Sequence, residues 1–267
     1  MSDVGRAPEW TAELYSANSE HHRDFDDEFL RGLELRNNSS VLDLGSGSGE
    51  LTRRIADLVT DGHVVGVDAS PSMVEFARQH QTGANVEYRW AQAQHFADAV
   101  AEWTPFDVVL SRATLHWVPR QQQTHVLSQV REVLRPAGAF RLDMGSGGQL
   151  IGARRILDHE SAALGGVTEP WYFPDVDEYG VLVDAHGLSV ERGWLRLVEQ
   201  RRRMPDFAAL EGWLRSQILI AYEPFLAREQ VPVFQDAVLR RAKTELRLDD
   251  GSYDQDYVRL DLLAHRA

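Results

Sequence analysis

The first half of the chain alternates two hydrophobic rhythms. Short apolar runs at residues 41–44, 63–67, 86–90, 106–110 and 139–144 have the length and β-branched character of buried strands. Between them the apolar residues recur at helical spacing, as with Leu51, Ile55, Leu58 and Val59 on one face of residues 51–59. Ser70-Pro71-Ser72 carries a helix start with proline near its first turn, ahead of Met73, Val74, Phe76 and Ala77. Residues 121–134 form a further predicted helix, with Pro136 and Gly138 as its stop. Strand–helix alternation of this kind predicts a parallel sheet with crossover helices.

The second half is less regular. Two glycine clusters within residues 145–166 flank a predicted helix over 150–164. The aromatic stretch 170–174 reads as a turn, and residues 175–186 as a helix capped by Gly187. Residues 188–198 alternate as a sixth strand, 207–226 and 231–246 are helical, and 257–265 is a last strand. No internal repeat or low-complexity linker interrupts this order. The expected fold class is α/β: a doubly wound, seven-stranded, mostly parallel sheet with an inserted helical cap.

Composition narrows the chemistry. The 267 residues, 43% hydrophobic and 26% charged, match a globular protein and argue against wholesale disorder. Lys and Arg number 28 against 41 Asp and Glu, a net charge of -13 that opposes binding to a polyphosphate backbone. There is no cysteine, which removes disulfides, thiolate metal sites and thiol catalysis. Residues 1–10 lack an apolar run, and no stretch approaches the ~18 apolar residues of a membrane span, so a soluble cytoplasmic protein is expected.

The most informative segment is Val41-Leu42-Asp43-Leu44-Gly45-Ser46-Gly47-Ser48-Gly49-Glu50. A strand runs into three alternating glycines and then directly into a helix, where a doubly wound fold binds nucleotides. A dinucleotide fingerprint starting at Gly45 requires glycine at position 50, which is Glu50, so a nicotinamide cofactor is excluded on spacing. Asp43 would repel a pyrophosphate but suits a ligand bearing ammonium and sulfonium charges. At the end of the second strand, Asp68 in Gly66-Val67-Asp68-Ala69-Ser70 stands where such folds hold ribose hydroxyls. Glycine turns and strand-terminal aspartates each arise for structural reasons alone; their combination at this spacing points to a nucleoside.

Asp43 to Gly49 resembles the first motif of the class I S-adenosylmethionine-dependent methyltransferases, and residues 64–70 resemble the second. Residues 106–111 resemble the family's fourth-strand motif, and Leu134-Arg135-Pro136-Ala137-Gly138 its turn into the fifth strand, where Pro-Gly-Gly is usual. Residues 10–19, the His116-Trp117 pair, Trp171-Tyr172-Phe173-Pro174 with Glu178-Tyr179, and residues 253–259 are most similar to the trans-aconitate methyltransferase-like branch of small-molecule enzymes. The resemblance spans nearly the whole chain and implies a Rossmann-like sheet. It also implies N-terminal lid helices at 1–40, a cofactor-binding core at 41–145, and the remaining strands with a helical substrate cap at 146–267. The implied cofactor is S-adenosylmethionine and the implied acceptor a small molecule, with no nucleic acid, membrane or metal.

Carried onto this sequence, the resemblance implies that Gly45, Ser46 and Gly47 line the methionine and ribose part of the cofactor, and that Asp43 holds the amino group. Asp68 would take the ribose hydroxyls, with Ala69 and Met73 against the adenine. Gln92, with Ala93 beside it, stands where the family usually supplies an adenine-binding Asp, and its amide oxygen can accept the same hydrogen bond without charge. Ser111 would offer its carbonyl near the methionine end, and Tyr15 would close over the cofactor. Ser46 occupies a position where the family often has Cys or Gly.

At the reacting end, His116 reads either as a base or substrate ligand, or as a half-buried bridge between loop and cap. Trp117, Trp171 and Tyr172 read as walls of an apolar substrate pocket, or as cap packing. Arg201-Arg202-Arg203 reads as a solvated charge run more readily than as an anion clamp, and His21 and His22 as surface. His125, His159 and His186 show no metal-ligand spacing. Two rival functions share the fold: a non-catalytic S-adenosylmethionine-binding module, and an enzyme using the sulfonium for another reaction such as cyclisation.

Overall fold

The computed structural model describes residues 10–17 and 26–267. His21 and His22 lie outside the described residues. Among the described residues, two short helices, α1 (Ala12–Ala17) and α2 (Asp26–Leu30), precede the sheet. Then come β1 (Ser40–Leu44), α3 (Glu50–Leu58), β2 (His63–Asp68), α4 (Pro71–His80), β3 (Val86–Trp90), α5 (Phe96–Ala99), β4 (Phe106–Arg112), α6 (Gln123–Val133) and β5 (Leu134–Gly145). The remainder is α7 (Ile151–Ala163), α8 (Val176–Ala185), β6 (Leu188–Met204), α9 (Phe207–Trp213), α10 (Gln230–Glu245) and β7 (Tyr253–Arg266). The seven strands lie in the order β3-β2-β1-β4-β5-β7-β6, the first five parallel and β7 antiparallel to both neighbours.

Strand order reverses between β1 and β4, which opens a crevice at their carboxyl ends. The sheet is covered on both faces, because successive strand residues point to opposite sides. Leu42, Leu44, Val65, Val67 and Val109 pack beneath α6 and α8 on one face. Val41, Val64, Val108 and Leu110 meet Leu51, Ile55 and Ala56 of α3 on the other. The cap has its own core: Ile156 and Leu157 of α7, Trp171, Leu210 and Trp213 of α9, and Phe234 and Val238 of α10. It is assembled from two insertions, one between β5 and β6 and one between β6 and β7.

Capping side chains explain the helix starts. Ser70 Oγ accepts from Met73 N at the head of α4, and Asp175 accepts from Asp177 N and Glu178 N at the head of α8. Three expectations are corrected. The helix α6 stops at Val133, and Pro136 and Gly138 belong to the irregular entrance of β5. There the register slips between Phe106↔Leu134 and Val108↔Ala139. The helix expected over 207–226 breaks after Trp213 into a π turn, Leu214–Ile218, and short 3-10 turns. β6 and β7 run past the end of β5 as a two-stranded ribbon, whose last pairs are Glu199↔Val258 to Met204↔Tyr253. Arg201, Arg202 and Arg203 therefore lie in a strand, with Arg201 against Asp254 and Asp256 and Arg203 against Asp250.

Candidate active site

The glycine loop joins β1 to α3 and is clamped to the end of β2. Gly45 N and Ser46 N both donate to Val67 O, at 2.7 and 2.9 Å. Gly45 has φ 87, and a Cβ there would fall 1.9 Å from Thr114 Oγ1 of the β4 turn, so only glycine lets these loops meet. Gly47, at φ 53, faces open space toward Tyr15. Its N–H donates to Asp68 Oδ2 at 2.9 Å, while Ser70 N donates to Asp68 Oδ1 at 2.8 Å. The half-buried Asp68 carboxylate is thus aimed by the backbone, with lone pairs left toward the crevice. Burial pushes its pKa up, and these two N–H donors oppose the push.

A cleft of about 650 Å³ opens here, lined by Gly45, Gly47, Asp68, Ala69, Met73, Ala91, Ala93 and the β4 turn. Asp43 and Ser46 border an adjoining compartment under the loop. Asp43 is buried and accepts from Thr52 Oγ1 at 2.6 Å; burial raises its pKa to about 6, against that hydrogen bond and the nearby Arg112 charge. Trp10 and Tyr15 close the cleft from the amino-terminal side. They are held by Ser72 Oγ donating to Trp10 O and by Ser16 Oγ donating to Glu50 Oε1, at 2.5 and 3.0 Å.

A second chamber, of about 490 Å³, lies between the β4 turn and the cap. Trp10, Tyr15, Ala113 and Trp117 border both spaces, so the chambers communicate. Its aromatic walls are linked edge to face, Trp10 to Trp117 at 5.1 Å and Trp117 to Trp171 at 5.8 Å, with Phe173 stacked on Trp171. The polar groups are His116, Gln149, Gln217, Tyr257 and Arg259. Arg259 is paired with Asp143 of β5. His116 is buried; desolvation and then the Arg259 charge hold its pKa well below the usual imidazole range.

Most of the side chains expected at the site border one of these spaces. Three do not reach the walls. Gln92 is exposed, and the alternation of the segment turns Ala91 and Ala93 inward instead. Ser111 is wholly buried, its hydroxyl donating to Leu44 O at 2.8 Å, and Arg112 and Ala113 form the wall. Tyr172 packs toward the sheet core, and its neighbours Trp171 and Phe173 face the chamber. Phe173 belongs to the aromatic run expected to line a substrate pocket; Arg112, Gln149, Gln217 and Arg259, dispersed along the chain, carry no local signal for the site.

Residues 41–138 match the model of a methyltransferase domain family. An uncharacterised methyltransferase of Schizosaccharomyces pombe is 31% identical over 271 residues, spanning 96% of this chain and 98% of its own. The chain belongs to the class I S-adenosylmethionine-dependent methyltransferases.

This methyltransferase is also similar to a trans-aconitate 2-methyltransferase of Azoarcus sp., 27% identical over 244 residues, covering 85% of this chain and 87% of that one. A putative methyltransferase of Bacillus halodurans superposes with TM-score 0.60 over 91% of this chain and 99% of its own; at 16% identity it shows the fold alone. S-adenosylmethionine is the methyltransferase's cofactor, and the cleft fits it. Ser46 Oγ is buried without a hydrogen-bond partner among the described residues, at the edge of a loop that no Cβ obstructs. Apolar Ala69, Met73, Ala91 and Ala93 offer a slot for a base beside the Asp68 carboxylate. Among the described residues no three His, Asp or Glu side chains are placed to share a metal ion, and no helix is long and apolar enough to cross a membrane.

Proposed function

We propose that the methyltransferase transfers methyl to a carboxylate oxygen of a small organic acid bound in the second chamber. The carrying observation is that chamber's composition: aromatic walls around Arg259 and a neutral His116, open to the cofactor cleft at Ala113 and Trp117. A guanidinium fixed by Asp143 suits an anionic acceptor, and the aromatic rings exclude water around it. The trans-aconitate 2-methyltransferases among its relatives support an acidic acceptor. The net charge of -13 favours a small acceptor over a nucleic acid.

When bound, the cofactor supplies an electrophilic methyl carbon on a sulfonium sulfur. A carboxylate nucleophile needs no base, so the protein's part is alignment for in-line displacement. In this reading Asp68 takes the ribose hydroxyls, Asp43 the amino end, and Gly45 to Gly47 the methionyl chain, while Tyr15 closes above. Burial lifts the Tyr15 hydroxyl to about 12, so it stays protonated. Trp117 and Trp171 hold the acceptor's apolar part. Residues 1–40 then act as lid, 41–145 as cofactor core, and 146–267 as remaining strands with the substrate cap.

The test supplies methyl-labelled S-adenosylmethionine with a panel of mono-, di- and tricarboxylic acids, phenols and carbon nucleophiles. A labelled product with the mass of an acid's methyl ester, cleaved by mild alkali as an ester is, supports the proposal. Transfer confined to phenols or carbon acceptors refutes it.

A further inference from the structure

Gly145 is the last residue of β5 and pairs with Arg259, whereas β7 extends beyond that pair to Tyr253. On this stretch the loop after β5 takes the place of the missing strand. Ser146 N donates to Val258 O and Leu150 N to Asp256 O, both at 2.9 Å. Between them, Val258 N donates to Oε1 of Gln149 at 2.6 Å. A main-chain N–H only donates, so the amide oxygen is the atom that meets Val258, and Nε2 is left over with two protons. Among the described residues the Gln149 side chain makes no other hydrogen bond. It is 4% exposed, and it borders the second chamber but not the cofactor cleft. We propose that Gln149 binds the acceptor, its Nε2 protons holding an acceptor oxygen that does not receive the methyl group.

The inference rests on reading the chamber as a site for an acid, and adds the residue that orients the acid there. Three donors start from one point of the fold. Arg259 is the strand partner of Gly145, and His116 accepts from Gly145 N through Nδ1. A Cβ on Gly145 would lie 3.2 Å from Gln149 Cγ and 2.4 Å from Phe173 Cε1, so glycine lets the amide and the aromatic wall close in beside the imidazole. Among the described residues no Asp or Glu side chain borders the chamber, so its wall has no carboxylate to answer the amide protons. An N–H group buried without a partner costs about 1–3 kcal/mol, and the occupant of the chamber is what satisfies it. A group that can only donate, such as an ammonium, finds nothing to bond to at this corner.

The loop keeps Gln149 there against local strain. Leu150, the next residue, has φ 55, in the left-handed region that a Cβ disfavours, and it too borders the chamber.

Two variants separate acceptor binding from the structural bond to Val258. Gln149→Glu keeps an oxygen for Val258 N and replaces the donor by a second oxygen. Gln149→Met loses both bonds and adds no charge. The measurement is steady-state methyl transfer to the mono-, di- and tricarboxylic acids of the labelled panel, with calorimetric titration of each full-length protein by S-adenosylhomocysteine. Gln149→Met should raise KM for the acids by about 10-fold, and Gln149→Glu by about 100-fold or more, because a carboxylate then faces an anion. In Gln149→Met, kcat should stay within about 3-fold, as expected when a contact common to ground and transition states is removed. Affinity for S-adenosylhomocysteine should change by less than about 3-fold in both. A purely structural role gives the opposite order, with Gln149→Glu close to the unsubstituted protein and Gln149→Met impaired, and that result overturns the proposal. So does an unchanged KM in either variant, or an equal loss of acid and S-adenosylhomocysteine binding. Unliganded melting curves show which variants are folded, and either one alone suffices for the KM test. If the unsubstituted protein methylates none of the acids, the reading of the chamber as an acid site falls, an outcome distinct from these.

Discussion

Gly145 N donates to Nδ1 of His116 at 3.3 Å, which leaves the proton of the neutral ring on Nε2. The imidazole is therefore a hydrogen-bond donor toward the chamber and has no lone pair free to take a proton there. His116→Gln, which keeps an N–H donor, should retain several-fold more turnover than His116→Ala, itself reduced by about 10- to 100-fold. The pH profile of kcat/KM should show no limb from this ring between pH 6.5 and 9. A limb that disappears in His116→Gln, with the two variants equally impaired, contradicts donation.

Asp43 gives a stability effect with a definite sign. Its folded pKa, about 6, is raised above the free value, so protonation favours the native state; that contribution is present at low pH and is lost as pH rises through 6. Asp43→Asn, which can still accept from Thr52, should stabilise the unliganded protein by up to on the order of 3 kcal/mol at pH 8, and by little near pH 4. The same variant should bind S-adenosylhomocysteine more weakly. Paired melting curves across that pH range check both outcomes.

Asp68 accepts from Gly47 N and Ser70 N and borders the cleft. S-adenosylhomocysteine at about 100 times its Kd should stabilise the protein by about 2.7 kcal/mol. Asp68→Ala should lose most of the corresponding Tm rise, while Arg259→Gln should keep it and raise KM for an acidic acceptor by about 10-fold or more. Equal Tm shifts in the Asp68 variant and the parent contradict ribose binding at this carboxylate.

Ala137 has φ 61, the left-handed region that a Cβ disfavours, at the irregular entrance of β5. Ala137→Gly should therefore stabilise the protein by about 0.5–1 kcal/mol, after the added unfolded-state entropy is offset, and raise Tm by about 1–3 °C. A fall in Tm would show that the turn tolerates the methyl without strain.

What was legible in the sequence was local. The glycine loop, Asp68 and the five parallel strands each lie within one short run, where spacing and period carry the information. Gln92 and Tyr172 failed for the same reason as each other: in an extended segment, neighbouring side chains face opposite ways, and motif position does not say which way. Arg201 and Arg203 are exposed, as a surface run should be, but their pairing with Asp254 and Asp256 has no local signal because these acids lie some fifty residues on. Arg259 and Gln217 reach the chamber through β7 and the π turn, and a break in helical hydrogen bonding leaves no period to read.

Trp117 is a partition common to both chambers, whereas Gln149, Phe173 and Gln217 touch only the second. New acceptors are thus open to the lineage, or to an engineer, by substitution at cap positions alone. The same change at Trp117 would disturb cofactor affinity together with acceptor choice. The two insertions that form the cap separate what must stay constant from what is free to diverge.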